Sequence, residues 1–123
     1  MTAGSLSSLW ARSGLVWLVA AMCFGLYLGI TEQLQIHPAH AHGALLGGVW
    51  GMGFSYLHTR IADDAPVAGG LWQWLAFNLG TALFVAGLWL MLSGTMTPLI
   101  PIGPIVVLLS TIWIAVSLWT RMK

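Results

Sequence analysis

Charge is what this sequence lacks. Only four Lys and Arg and three Asp and Glu occur among 123 residues, 6% in all, where an ordinary soluble domain carries about a quarter. So few charges cannot cover a water-exposed surface, which excludes a soluble fold. A net charge of +1 with no basic patch along any element excludes a nucleic-acid partner as well. Cysteine is nearly absent: Cys23 has no second thiol to pair with, so neither an internal disulfide nor a Cys-rich metal site is possible, and its apolar surroundings mark it as a packing residue. What the chain has instead is apolar bulk, 59% hydrophobic with eight Trp and 15 Gly. Its solvent is expected to be lipid, and its length allows one domain, 1–123.

A membrane-spanning helix needs about 20 mostly apolar residues. Four segments qualify, roughly 9–30, 40–58, 71–92 and 99–119, giving an all-α polytopic protein with four transmembrane helices. The breaks are polar or turn-forming: Glu32 and His37-Pro38 in the first, Arg60, Asp63, Asp64, Pro66 and Gly69-Gly70 in the second, and Ser93 to Pro98 in the third. The Ser-rich start has no Lys or Arg before Arg12, and the apolar run after it is too long for a signal-peptide core, so the first run reads as a retained helix.

Arg12, Arg60, Arg121 and Lys123 all fall on the side shared by the N-terminus, the second loop and the C-terminus. Cytoplasmic flanks are rich in Lys and Arg, so both ends are expected inside and the first loop outside, in a bacterial inner membrane. Trp10, Trp72, Trp74 and Trp119 are expected at the inner interface, where an amphipathic ring is comfortable. Small residues recur every four positions, at Ala21, Gly25 and Gly29 and again at Gly43, Gly47 and Gly51. Such stripes let helix backbones approach closely in lipid.

The segment that can carry chemistry is His37-Pro38-Ala39-His40-Ala41-His42, three of the four histidines within six residues, where the chain re-enters the membrane. Imidazole is a common metal ligand, and a histidine cluster at a membrane edge is a site hypothesis by default, with interfacial polarity as the plainer reading. At about 100° per residue, His40 and His42 point roughly 200° apart and cannot chelate one ion from one helix. Gly47 and Gly51 lie within about 20° of the direction of His40, and Gly43 about 60° away, leaving a groove without side chains that suits a flat macrocycle held by an axial imidazole. The face of His42 is an apolar wall of Leu46, Val49 and Gly53. His58, about 24 Å further along the helix, cannot join the cluster and is expected at the interface beside Arg60. Asn78 is expected to bond between helices.

His40-Ala41-His42 followed by Leu45-Leu46-Gly47, at the outer end of a second helix, resembles the haem-ligating helix of subunit I of the haem-copper oxidases, especially the cbb3-type and nitric-oxide-reductase branch. The likeness covers about fifteen residues, with weak support from Asn78 to Gly80, and is greater still to the short four-helix relatives of that subunit. In that family twelve helices form three four-helix arcs, with the metal-binding histidines on the second helix of an arc. The resemblance implies that this chain supplies one arc and that a homotrimer rebuilds the whole, in keeping with the cyclic symmetry of most homo-oligomers. It implies haem b between subunits, ligated by His40 of one copy and His42 of the next, with Gly43, Gly47 and Gly51 accepting the ring and Trp50 and Met52 nearby.

The first, third and fourth helices have no histidine for a copper centre, and no helix interior carries Asp or Glu for a proton path. Oxygen reduction is therefore not expected, leaving electron transfer or diatomic-gas binding, with the redox partner open. Two rivals stand beside this reading. One is a copper or zinc site on His37, His40 and His42, which requires the helix to begin after His40. The other is a cofactor-free assembly subunit of a larger membrane complex.

Overall fold

The computed structural model describes residues 1–122, apart from the side chain of Leu99, so Lys123 lies outside the described residues. Helix α1 spans Ala3–Ile30 and begins well before residue 9, because the serines are helix-forming in context. Thr2 caps it: Ser5 N–H donates to Thr2 Oγ1 (3.3 Å) and Thr2 N–H donates to Ser5 Oγ (3.1 Å). This reciprocal pair satisfies two backbone donors that otherwise have no partner at a helix start. The helix ends where Thr31 N–H returns to Tyr27 O and Glu32 takes a left-handed φ of 57°.

A short 3₁₀ turn, Leu34–Ile36, leads into a rod built of three pieces: α2 (His37–His42), a π-helical stretch (Gly43–Trp50) and α3 (Gly51–His58). Pro38 stands in the first turn of α2, where its missing N–H costs nothing. Helical backbone angles at Gly43 and Gly51 carry the rod through both junctions without a break. The π stretch contains Gly43, Gly47 and Gly48, all buried, and its wider turn brings Gly47 and Gly48 together to the side facing α1. Helix α4 (Gly70–Leu92) follows Gly69, whose φ of 73° suits a residue without Cβ, and α5 (Leu99–Trp119) starts after Pro98 and carries Pro104 within it.

The rod packs along α1, α4 packs on the rod, and α5 lies along α4, so the helices form an open row in chain order. Glycine sets the contacts. A Cβ on Gly51 would stand 3.2 Å from Gly14 Cα, and one on Gly103 would stand 2.3 Å from the backbone N of Phe84. Such backbone approach is how helices associate where no hydrophobic force draws them together. The larger core lies at one end of the row, where Trp10 packs on Phe54 and Phe77 at ring-centroid distances of 5.0 and 5.5 Å. Trp10 is therefore buried rather than interfacial, because Phe54 and Phe77 converge on it. Trp72 and Trp119 are exposed.

The same end is clasped by backbone bonds. Ala3 N–H donates to Ala65 O, Gly4 N–H to Asp63 O and Val67 N–H to Met1 O, while Arg121 Nη1 donates to Pro66 O at 2.6 Å. The N-terminus, the 59–69 loop and the end of α5 thus share one end of the molecule. Outside the row, Val16, Val19, Met22, Leu26 and Ile30 on α1 and Leu108, Leu109, Ile112 and Val116 on α5 are exposed. Helices α1, α4 and α5 are each long and apolar enough to cross a membrane, and the protein is all-helical among the described residues.

Candidate histidine site

At the end opposite the clasp, His37, Pro38, His40 and His42 occupy the single short helix α2. Since α2 begins at His37, its histidines are already fixed on helical directions. A site that wraps all three around one ion needed a later start, and among the described residues no group of three or more His, Cys, Asp or Glu converges. The copper or zinc site on His37, His40 and His42 together is therefore not formed.

The three rings separate into two environments. His42 turns toward α4, its ring meeting the edge of Phe84 at 5.1 Å, and its Nδ1–H donates to Pro38 O at 2.7 Å. That bond fixes the tautomer and leaves Nε2 as the free lone pair, the arrangement usual for an imidazole ligand oriented by a backbone carbonyl. His40 turns toward α1, where a Cβ on Gly25 would stand 3.2 Å from its Nε2. Its other neighbour is His37, at a ring-centroid distance of 5.4 Å. Nε2 of His37 and both ring nitrogens of His40 are inaccessible and make no hydrogen bond.

The groove expected beneath His40 has the expected direction and a different occupant. Gly47 and Gly51 do share the side of the rod that bears His40, but α1 fills it: a Cβ on Gly47 would stand 2.2 Å from Cγ of Trp17, and Gly51 meets Gly14. Gly43 lies under Val85 and Trp17. What remains is a cavity of about 170 Å³ walled by Trp17, Ala21, Phe24, His40, Gly43 and Val85, smaller than the roughly 300–1,000 Å³ of ordinary cofactor pockets. A macrocycle does not fit in this groove. With both nitrogens enclosed, His40 is not available across an interface either, so ligation from the outer surface falls to His42, which is bordered on the rod by the exposed Leu45, Val49 and Trp50.

Two polar groups outside the cluster settle into packing roles. Asn78 Oδ1 accepts from Trp17 Nε1 at 2.8 Å and its Nδ2 donates to Trp74 O, so Asn78 does bond between helices, and it holds the ring that fills the glycine groove. His58 is 1% exposed and donates through Nδ1 to Phe54 O at 2.6 Å, so it is a core residue rather than an interfacial one. The clasp between the N-terminus and the 59–69 loop closes over that end of the rod, which the position of His58 beside Arg60 in sequence did not reveal. Buried Gln73 and the pair Ser7 and Ser55, which bond each other's carbonyls at 3.0 and 2.9 Å, were likewise without a sequence signal. No family model matches this chain, and no characterised protein or solved structure is found to be similar to it.

Proposed function

We propose that this protein is a four-span integral membrane protein that binds haem b through His42 on its outer surface, and that it serves electron transfer or diatomic-gas binding without reducing oxygen. The observation that carries the haem reading is the bond from His42 Nδ1 to Pro38 O, which leaves Nε2 as the lone pair that would hold an iron. His58 makes the same type of bond to Phe54 O but is enclosed, whereas His42 is only half-buried. When bound, the iron supplies one-electron redox chemistry or a site for a diatomic ligand, depending on whether a second imidazole fills its other axial position. The residues that would hold the group are His42 and the exposed Leu45, Val49 and Trp50 beside it.

The rod from His37 to His58 is about 33 Å long at 1.5 Å per residue, matching a hydrocarbon core of about 30 Å, which supports a fourth span beside α1, α4 and α5. Arg60 and Arg121 lie at the clasped end and, among the described residues, no Lys or Arg lies at the histidine end, which supports an inside location for both termini and an outward histidine cluster, as in a bacterial inner membrane. The lone pair left on Nε2 of the half-buried His42 would take one side of the iron and leave the other open to a second copy's imidazole. A twofold contact would bring two copies of His42 together, whereas the cyclic trimer that the resemblance implies would set His42 against a different residue of the next copy.

The test is the visible spectrum of the detergent-purified protein from haem-replete cells, oxidised and dithionite-reduced, with a pyridine-haemochrome assay. Sharp reduced α and β bands that disappear in His42→Ala are expected. A colourless, iron-free wild-type protein would overturn the proposal and leave the assembly-subunit reading.

A further inference from the structure

We infer that His37 and His40 form a two-imidazole site for monovalent copper, separate from His42. Three nitrogens of these two rings, His37 Nε2, His40 Nδ1 and His40 Nε2, are enclosed without a hydrogen-bond partner. Buried polar atoms are ordinarily satisfied, and a group of unsatisfied ones marks a bound water, ion or ligand. The neighbours of His40 are Gly25, Trp17, Phe24 and Val85, none with a side-chain donor turned to it: the one N–H among them, on Trp17, is committed to Asn78. A neutral imidazole carries one N–H and one lone pair, so the two rings together offer at most one unmatched lone pair each to a Lewis acid.

The ring spacing suits one. An imidazole-bound ion at an N–metal distance of about 2.0 Å lies about 3.2 Å from each ring centroid, so ligand angles of about 109–120° separate the centroids by roughly 5.2–5.5 Å. The observed separation is 5.4 Å, with the ring planes inclined at 34°.

The surroundings select the charge of the ion. Among the described residues no Asp or Glu joins the pair to neutralise a dication, and the desolvation cost of an ion rises steeply with its charge. Both histidines also lie in the first turns of α2, where the positive end of the helix dipole opposes a cation in proportion to its charge. A monovalent, imidazole-accepting ion content with few ligands meets these conditions, which points to copper(I) over copper(II) or zinc(II). At ligand angles well short of linear, such an ion would complete its shell with a small neutral ligand such as water.

The experiment is an anaerobic copper(I) titration of the detergent-solubilised full chain in competition with a chromophoric copper(I) chelator. One copper per chain is expected for the wild type and for His42→Ala, with affinity at least tenfold weaker in His37→Ala and in His40→Ala. Copper K-edge absorption of the loaded wild type reads the same site without any substitution, and two nitrogen scatterers at about 2 Å are expected. Failure to take up copper, uptake unchanged in both variants, a sulfur scatterer from Cys23, or preferential binding of zinc(II) would each overturn the inference. Because His42→Ala removes haem and keeps copper, loss of one site is distinguishable from loss of the other.

Discussion

The two ends of this molecule handle buried polarity in opposite ways. At the clasped end, Ser7 and Ser55 exchange bonds to each other's carbonyls, His58 is tied to Phe54 O, and three backbone bonds close the N-terminus onto the 59–69 loop. At the histidine end, the chain leaves imidazole nitrogens of His37 and His40 enclosed and unmatched, and orients His42 with Nε2 free. Unmatched groups do occur at the clasped end, Trp10 Nε1 and Gln73 Nε2, but both are donors and call for an acceptor such as water. A neutral imidazole instead brings one lone pair beside its N–H, and a lone pair is what a metal takes. The histidines of this rod therefore stand in two kinds of surroundings, one matched and one not.

Substitutions can break or sharpen this contrast. The largest effect is expected from His58→Ala, which removes a fully buried ring and its bond to Phe54 O and should cost about 2–4 kcal/mol in reversible unfolding from mixed micelles. Next comes Gly47→Ala, about 2 kcal/mol, since its Cβ would overlap the Trp17 ring and force it aside. A shifted tryptophan emission should accompany that loss, and an unchanged spectrum with full stability would mean that the groove is not filled by Trp17. Ser7→Ala and Ser55→Ala should each cost about 1 kcal/mol, and their double-mutant cycle should show coupling of about 0.5 kcal/mol or more. The smallest effects belong to the other end: His42→Ala and Gly29→Ala should stay within about 0.5 kcal/mol, the glycine having nothing within 4 Å of an added Cβ. Were His42→Ala as costly as His58→Ala, the histidine end would be structural and the contrast would fail.

Much of the site was legible as direction and little of it as environment. The seven-residue and eleven-residue spacings from His40 put Gly47 and Gly51 on its side of the rod, and the structure has them there, facing α1. The spacing carried no sign that Trp17, held by Asn78 on a third helix, would lie in the groove, because that placement depends on a bond across 61 residues of chain. The start of α1 was missed for a local reason: serine reads as a loop residue until Thr2 and Ser5 are seen to cap each other. Trp10 and His58 were expected at an interface because each lies near the end of an apolar run. What buries them is Phe54 meeting Phe77 and the N-terminus folding onto the 59–69 loop.

The sequence by itself determined the solvent and the class of structure. Transfer of apolar surface from water is close to additive over residues, and a chain that is 59% hydrophobic and 6% charged carries that information whatever its packing. It also marked the main breaks between the helices, since polar, Pro and Gly breaks act locally. Only the tertiary structure decided what each histidine does. The same side chain becomes a core residue at position 58, a half-buried ring with a free Nε2 at 42 and half of an enclosed pair at 37 and 40, according to which neighbouring element covers it. That covering is set by contacts between segments far apart in the chain, which no local pattern encodes.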